Sequence, residues 1–257
     1  MPVVEIEFEG TDYSTYLRIN DLLRLQVPLS DDAKDELLFI VVHQSYELWF
    51  KVILDELRRG IAAIMANAPW RALAHLVRMI KIEDLLIEHL RVLETMSPEG
   101  FLEFRDPLNP ASGFQSVQFR AIEFLSGAGR PAMLHFELFD DEQRAWLAGV
   151  ANEMNIWSAF EASLRHESGE EEAELSSLVR NLYRDHASAT RSALHAVAEL
   201  MMDHDERLAM WRHQHMLMAG RQIGRRPGTG GSAGMAYLET TLTARLYPVL
   251  WEVRSIL

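Results

Sequence analysis

Residues 32–65 read DAKDELLFIVVHQSYELWFKVILDELRRGIAAIM, and this stretch decides the fold. It contains no proline, and its only glycine is Gly60. Residues 30–32, Ser-Asp-Asp, are candidate N-caps, and Pro69 ends the run. Apolar side chains recur at the helical period, at Leu38, Val41, Val42, Leu48, Trp49, Val52, Ile53, Leu57 and Ile61. The stretch therefore predicts one long amphipathic helix.

The same helical periodicity recurs in several segments of the rest of the chain. We expect irregular structure at residues 97–114, where prolines recur, and in the Gly-rich segment 224–234. Residues 3–10, VVEIEFEG, suit one short edge strand or an ordered arm. Apolar periodicity predicts further helices over residues 70–96, 115–125, 140–166, 175–223 and 237–257. The sequence thus predicts an all-α fold, a single-domain helical bundle over residues 1–257 with a short N-terminal arm.

Composition excludes several functional classes. The 257 residues carry a net charge of −13, which disfavours nucleic acid as a partner because such binding needs basic groups. There is no cysteine, so disulfides, thiolate catalysis, iron–sulfur clusters and covalent c-type haem attachment are excluded. No signal-peptide run opens the sequence, and no stretch of about 20 uninterrupted apolar residues occurs. We therefore expect no membrane partner and a cytoplasmic location.

The first candidate functional residue is His43, which lies in the predicted long helix among apolar neighbours. Phe39 precedes it by one turn and Glu47 follows it by one turn. For this residue alone, a core histidine satisfied by a hydrogen bond is the simpler interpretation. The surrounding HQSYELW, residues 43–49, is rich in polar groups, however. Such a helix either lines a site or needs a dense hydrogen-bond network.

The second candidate is Arg105, within FRDPLNPASGFQSVQFR at residues 104–120. Its guanidinium suits bidentate capture of a carboxylate. A surface ion pair with the adjacent Asp106 is the simpler interpretation when Arg105 is taken alone. Ser112 is placed to cap the helix that follows.

The third candidate segment is WRHQHMLMAGRQIGRRPGTGGSAGMAYL, residues 211–238. His213 and His215 are two residues apart, and helical side chains at that spacing point in different directions. They do not chelate one metal together, although either suits a single axial ligand. The loop at residues 228–232 offers backbone N–H groups to an anion. It lacks the lysine and the preceding strand of a P-loop, so an NTPase is disfavoured.

Taken together, these segments resemble one family. HQSYELWFKVILDEL, LNPASGFQSVQFRAIEF and HQHM…IG…GTGGSAG…YL are similar to the three signature blocks of the tryptophan 2,3-dioxygenase family, in the family's order. DYSTYLRINDLLRLQVPLS is similar to its N-terminal segment. The resemblance covers about residues 13–250 and is weakest at about 134–205, which it marks as a peripheral helical region. It implies an all-α fold, one non-covalent haem b per subunit, O2 as co-substrate and a homotetramer.

The resemblance also implies roles for individual residues. His215 matches the axial ligand of the haem iron, whose other ring nitrogen a second-shell acceptor is expected to hold. His43 matches the catalytic distal histidine beside the substrate indole, and Arg105 matches the arginine that binds the substrate carboxylate. The other implied substrate-binding residues are Phe39, Phe101, Thr229, Tyr13, Tyr16 and Leu17, of which the last three reach a neighbouring subunit's site. The other implied cofactor-binding residues are Phe104, Ser112 and Gly230.

Two positions depart from the family's pattern. Phe101 stands where some members have tyrosine, so a hydroxyl contact to the substrate head is missing. Leu90 stands where an aromatic residue near a haem propionate is expected.

The implied function is haem-dependent insertion of both atoms of O2 into the indole C2–C3 bond of L-tryptophan. The product is N-formylkynurenine, in the first step of tryptophan breakdown by the kynurenine route. His43 is expected to accept a hydrogen bond from the indole N–H and orient the ring, not to remove the proton. Two alternatives stay open: a sibling haem-dependent oxygenase or hydroxylase acting on another indole or aromatic amino acid, and a non-catalytic haem sensor or carrier.

Overall fold

A computed structural model describes residues 11–185 and 187–257, and all regular secondary structure within these residues is helical. The expectation of an all-α fold is confirmed. The possible strand at residues 3–10 lies outside the described residues. The α-helices are α1 (Tyr13–Leu17), α2 (Ile19–Leu22), α3 (Glu36–Met65), α4 (Pro69–Leu93), α5 (Pro98–Arg105), α6 (Val117–Leu125), α7 (Asp141–Ala151), α8 (Ile156–Ser168), α9 (Leu175–Arg184), α10 (Ala189–Ile223), α11 (Met235–Thr240) and α12 (Pro248–Val253). Short 3-10 helices lie at Asp106–Leu108, Gly113–Gln115, Pro131–His135 and Arg254–Ile256.

The long helices α3, α4 and α10 form the centre of the bundle. A short turn joins α3 to α4, so these two helices run antiparallel. Helix α10 runs parallel to α4, because His204 pairs with Glu83 at 2.5 Å and, further along both helices, Gln214 donates to Glu94 at 2.7 Å. Helix α4 packs extensively on both neighbours, whereas α3 and α10 make little direct contact with each other. The bundle therefore leaves a gap between α3 and α10 on one side of α4.

Helix α3 begins at Glu36, four residues later than the sequence predicts. The carboxylate of Glu36 accepts hydrogen bonds from the backbone N–H of Leu29 at 2.7 Å and of Ser30 at 3.0 Å. These bonds fold the preceding segment back onto the first turn of the helix. The candidate N-caps at residues 30–32 are therefore wrong, because their backbone belongs to that folded segment and Asp35 occupies the N-cap position.

The predicted helix at residues 237–257 is divided into α11, α12 and a 3-10 helix. Three further boundaries differ from the sequence-based prediction because capping side chains start new helices. Ser97 accepts from the N–H of Gly100 and starts α5 inside the stretch expected to be irregular. Asn155 accepts from the N–H of Ser158, which separates α7 from α8. Ser188 caps α10 and separates it from α9. The predicted helices at residues 140–166 and 175–223 are therefore each two helices.

The region at residues 134–205 lies away from the candidate site but contributes to the core. Helix α8 packs against α3 and α10, and α7 packs against α6. Leu147, Phe160 and Leu182 from this region are fully buried in the same hydrophobic cluster as the central helices. The region is thus part of the same core as the central helices.

Helix α3 is long and apolar enough to cross a membrane if length and composition alone are considered. Such a pattern also occurs in the core helices of proteins that cross no membrane. Here the buried side chains of α3 pack against α4, α6 and α8. This packing covers one side of the helix, while Leu37, Val41 and Leu48 stay exposed.

Candidate functional site

Two histidines face the gap between α3 and α10. The helices meet where Trp211 Nε1 donates to the hydroxyl of Tyr46 at 3.1 Å. His43 lies about one turn before Tyr46 on α3, and His215 one turn after Trp211 on α10. Because the helices are antiparallel, both histidines lie on the same side of this contact. The charge of His43 lowers the pKa of His215, so the two rings are close enough to interact electrostatically.

The ring of His43 is held in one tautomer. Its Nδ1 lies 2.7 Å from the carbonyl oxygen of Phe39. A carbonyl only accepts, so Nδ1 carries the hydrogen, and in the neutral ring Nε2 is left with a lone pair. Burial lowers the pKa of His43, opposed by the Phe39 hydrogen bond and by Glu47. The side chain is nevertheless accessible to solvent. We refer to the solvent-accessible space beside the rings of His43 and Phe39 as the cleft.

Three phenylalanines line the cleft beside His43. The ring of Phe39 lies 4.0 Å from that of His43, and Phe101 lies 5.9 Å from Phe39, measured between centroids. Phe104 is fully buried behind them, 5.4 Å from each of the other two phenylalanines. The structure thus brings together the three aromatic residues predicted for the site. Phe39 and Phe101 give the cleft an apolar wall that suits an aromatic ring.

His215 is held by stacking. Its ring lies 5.1 Å from that of Trp211 with an interplanar angle of 18°. Within the described residues no hydrogen bond joins a ring nitrogen of His215 to another group, so the expected second-shell acceptor is not found there. Burial, aided by the charge of His43, lowers the pKa of His215 to about 4. The imidazole is therefore neutral near pH 7, as a metal ligand must be. His213, two residues earlier, is exposed.

Arg105 is turned toward the Gly-rich loop. Its Nη2 donates to the carbonyl oxygen of Pro227 at 2.6 Å. Asp106 lies 3.7 Å away and is 92% exposed, so the surface ion pair is weak. The Nε of Arg105 is buried and has no partner among the described residues. A half-buried guanidinium with an unused donor is suited to bind an anion.

The Gly-rich loop packs on the loop that follows Arg105. The hydroxyl of Thr229 donates to the carbonyl oxygen of Ala111 at 2.6 Å, which leaves the lone pairs of Thr229 free to accept. A Cβ on Gly230 would lie 2.5 Å from the Cβ of Ser112, so only glycine fits this approach. Ser112 itself accepts from the N–H of Phe114 at 3.3 Å. The two loops together place Arg105 and Thr229 on one side of the site.

Known proteins resemble this chain over most of its length. The family profile described as tryptophan 2,3-dioxygenase matches residues 1–176 and 170–257. The chain belongs to the tryptophan 2,3-dioxygenase family. A tryptophan 2,3-dioxygenase from a Nocardioides species is 44% identical over 252 residues, covering 95% of this chain and 93% of that protein. Those from Caulobacter vibrioides and Herpetosiphon aurantiacus are each 37% identical, covering 95% and 96% of this chain and 97% and 98% of those proteins.

Tryptophan 2,3-dioxygenases depend on haem and use O2, and the residues around His215 fit a haem held by one axial imidazole. The ring is neutral, and no described residue occupies its nitrogens, so one is available to iron. His43 lies across the gap and is held by its own helix. Leu90 is only 2% exposed because it packs in the core, so this position provides no aromatic contact to a propionate.

The three N-terminal residues that the family resemblance implicates do not lie in the site of their own chain. Tyr13, Tyr16 and Leu17 lie on α1 and are 74%, 73% and 43% exposed. The hydrogen bonds and ring contacts of the described residues do not connect them to His43 or Arg105. Their role at a neighbouring site stays a prediction.

Sequence reasoning missed Trp211 and Tyr46 as parts of this tryptophan 2,3-dioxygenase site. The available signal was spacing, because Trp211 precedes His215 by four residues and so shares its helix face. Tyr46 follows His43 by three residues in the same way. That these two side chains meet depends on how α3 and α10 each pack on α4, which spacing alone does not define.

Proposed function

We propose that this protein opens the indole ring of L-tryptophan, adding both atoms of O2 across the C2–C3 bond to give N-formylkynurenine. This reaction is the first step of tryptophan breakdown by the kynurenine route. The observation that carries the proposal is the tautomer of His43, whose Nε2 is free to accept, beside the aromatic rings of Phe39 and Phe101. The neutral His215 across the gap completes the arrangement. One face of the site suits an indole and the other a haem.

The cofactor of this proposal is haem b, one per subunit. His215 would be the axial ligand of the iron, and Phe104, Ser112 and Gly230 would border the haem. When bound, haem iron supplies the activation of O2, which reacts only slowly with a closed-shell indole on its own. The protein's own contribution is to bind, orient and enclose the substrate.

The proposed role of His43 is orientation. Its Nε2 accepts a hydrogen bond from the indole N–H, while its Nδ1 stays bonded to the Phe39 carbonyl. Indole N–H is far less acidic than imidazolium, so complete proton removal by His43 would be strongly uphill. The ring contact of 4.0 Å with Phe39 further restricts the imidazole. His43 thus positions C2 and C3 of the indole without taking a proton.

Arg105 and Thr229 are proposed to hold the amino-acid head. The unused Nε of Arg105 would donate to the substrate carboxylate, and the Thr229 oxygen would accept from the ammonium group. Phe101 contributes no hydroxyl, so the head depends on these two residues. An indole without the carboxylate would leave the buried Nε of Arg105 without a partner, and this cost gives selectivity for the free amino acid.

We further propose a homotetramer in which Tyr13, Tyr16 and Leu17 reach a neighbouring subunit's site. Their exposure supports this, as does the exposed apolar run of Leu23, Leu25, Val27 and Leu29. Deleting residues through Leu17 is expected to lower activity more than haem content. A fully active monomer in solution would contradict the proposal. A cytoplasmic location, with no membrane and no nucleic-acid partner, belongs to the same proposal.

The test is an anaerobic reduction of the haem-loaded protein followed by addition of air and L-tryptophan. We expect the absorbance of N-formylkynurenine to appear, with one O2 consumed per product. Turnover of another indole or aromatic amino acid in preference to tryptophan would identify a sibling oxygenase or hydroxylase. Haem binding with no oxygen uptake in the presence of tryptophan would identify a sensor or carrier.

A further inference from the structure

The proposed function gives no role to the aromatic pair of Trp211 and Tyr46 beneath the site. Trp211 stacks on His215 and also packs against Phe119, with centroids 5.4 Å apart. Its indole Nε1 donates to the hydroxyl of Tyr46 at 3.1 Å. The indole is therefore fixed in position by one hydrogen bond and by ring contacts on more than one side.

Tyr46 carries this attachment to a third helix. Its hydroxyl accepts from Trp211 on α10 and donates to the carbonyl oxygen of Leu86 on α4. The side chain is 7% exposed, and its ring packs against those of Phe50 at 5.7 Å and His89 at 5.8 Å. Burial raises the pKa of Tyr46, so the hydroxyl keeps its proton and both hydrogen bonds persist at physiological pH. The chain Leu86–Tyr46–Trp211 thus connects α4, α3 and α10 directly beneath His215.

We propose that Trp211, anchored through Tyr46 to the carbonyl of Leu86, is the positioning residue that fixes the ring plane of His215. This inference rests on the proposed function, in which His215 binds haem iron. Neither Trp211 nor Tyr46 touches substrate in this arrangement, and both act through His215.

The physical reason lies in how an axial imidazole is oriented. Metal-binding histidines are commonly oriented by a hydrogen bond from the second ring nitrogen to a carboxylate or carbonyl. Among the described residues no such acceptor bonds His215, whereas a nearly parallel indole lies one turn before it. Rotation of the imidazole about its bond to Cβ would break this stack. An anchored indole therefore restricts the ring plane without adding negative charge to the ligand.

Four variants test the proposal in the haem-loaded protein. Tyr46→Phe removes the hydroxyl and leaves the ring, and Trp211→Phe keeps an aromatic ring without the N–H donor. Trp211→Leu removes the stack. Tyr183→Phe is the matched control, because Tyr183 also has a bonded hydroxyl, which accepts from Arg254 at 3.0 Å, but lies on α9. A cavity of about 30 Å³ lies beside Trp211, and its truncation would enlarge this cavity, so Tyr46→Phe is the cleaner variant.

The readouts are the iron–histidine stretching band of the ferrous protein and the rate of haem transfer to an excess of apoglobin. We expect Tyr46→Phe to shift or broaden the band and to speed haem transfer by roughly three- to tenfold, because the indole of Trp211 loses its one hydrogen bond. Trp211→Leu is expected to change both further, with Trp211→Phe between the two. Tyr183→Phe should leave both unchanged.

The proposal would be overturned if Tyr46→Phe kept the native position and width of the iron–histidine band and the native rate of haem transfer. This holds even if Trp211→Leu failed to fold. Equal changes in Tyr183→Phe would also overturn it, because they would show a general loss of stability. Failure of the proposed function is seen separately. If His215 were not the ligand, His215→Ala would retain the iron–histidine band, and if the protein were a sensor or carrier, the native protein would take up no oxygen with tryptophan, whatever the result for Tyr46.

Discussion

The two histidines of the site are held in opposite ways. On α3, the Nδ1 of His43 is bonded to the carbonyl of its own helix, its Nε2 is free and its ring is accessible in the cleft. On α10, His215 stacks on an indole, is more buried than His43 and has no hydrogen bond within the described residues. The His43 ring thus offers a hydrogen-bond acceptor in a fixed position, which suits a substrate that binds and leaves. The His215 ring has nitrogens without a hydrogen bond, which suits a cofactor that stays bound.

This difference shows how two copies of one side chain serve two purposes. Burial lowers the pKa of both, so both are neutral near pH 7. Their roles are separated by the second contact, which is a backbone carbonyl for His43 and an aromatic plane for His215. Under the proposed function we therefore distinguish a substrate side, at His43 and Arg105, from a cofactor side, at His215. Each variant below should affect only one of the two sides.

The largest effect is expected on the cofactor side. His215→Ala should lose the haem or its axial coordination, and turnover should fall below detection, because the proposed ligand is removed and His43, across the gap, is held by the carbonyl of Phe39. Haem content and the Soret band measure this directly. His213→Ala is the matched control and should be native, since His213 is exposed two residues away. A normal Soret band and normal turnover in His215→Ala would show that His215 does not hold the cofactor.

The next effect is expected on the substrate side. Arg105→Ala should retain haem but lower kcat/KM for tryptophan by about 30- to 1,000-fold, mainly through KM. The loss corresponds to about 2–4 kcal/mol for a charge-assisted bond to a buried carboxylate. Arg91→Ala should be native, because Arg91 is exposed and bonded only to its helix neighbour Glu88. If the preference for tryptophan over tryptamine stayed unchanged in Arg105→Ala, Arg105 would not bind the carboxylate.

A smaller effect is expected from His43→Ala, which should keep haem and lose about 10- to 100-fold in kcat/KM. One hydrogen bond of roughly 1.4–3 kcal/mol accounts for this range, whereas an obligatory base would cost several orders of magnitude. The variant should also turn over 1-methyltryptophan better than the native enzyme, because removing the imidazole makes room for the methyl group. If 1-methyltryptophan occupied both proteins without reacting, proton removal from the indole nitrogen would become the favoured role.

Whether the sequence predicts a contact of either histidine depends on how far apart the two contacting residues lie along the chain. The spacing of apolar residues along α3 and α10 predicts both helices and places each histidine on its helix. The carbonyl of Phe39 lies one turn before His43, so that contact is local and accessible to sequence reasoning. The stack on Trp211 is local as well, but its anchor on Tyr46 joins residues 165 positions apart. Only tertiary packing defines that contact.

The same distinction explains the errors in the helix boundaries. Helix α5 was missed because Pro98, Gly100 and Pro107 suggest a loop, whereas Ser97 caps a helix that starts at the first of them. The start of α3 was misplaced because the carboxylate of Glu36 binds backbone groups six and seven residues earlier. Capping geometry of this kind depends on which competing side chain reaches the free N–H groups, and composition does not decide that.

The smallest expected effect sharpens the assignment of His43. His43→Gln keeps an amide N–H for the Phe39 carbonyl and an amide oxygen for the indole, but it cannot be protonated. In the native protein, burial lowers the pKa of His43 below its ordinary value of 6.5, so the ring is neutral at pH 7 and becomes charged only as the pH falls below that range. Protonation places a hydrogen on Nε2, which then opposes the indole N–H. Native kcat/KM should therefore be flat above neutral pH and fall on the acid side by up to tenfold per pH unit.

The expected result for His43→Gln at pH 7 is activity within a few-fold of native, because both hydrogen bonds are preserved in kind. On the acid side its profile should fall less steeply than that of the native enzyme, since the titrating acceptor is gone. The pH dependence of kcat/KM over the range in which both proteins keep their Soret bands measures this. An acid limb of unchanged position and slope in His43→Gln would show that another group controls it. His43 would then contribute to substrate binding only through its shape. The two histidines would then differ only in how deeply they are buried.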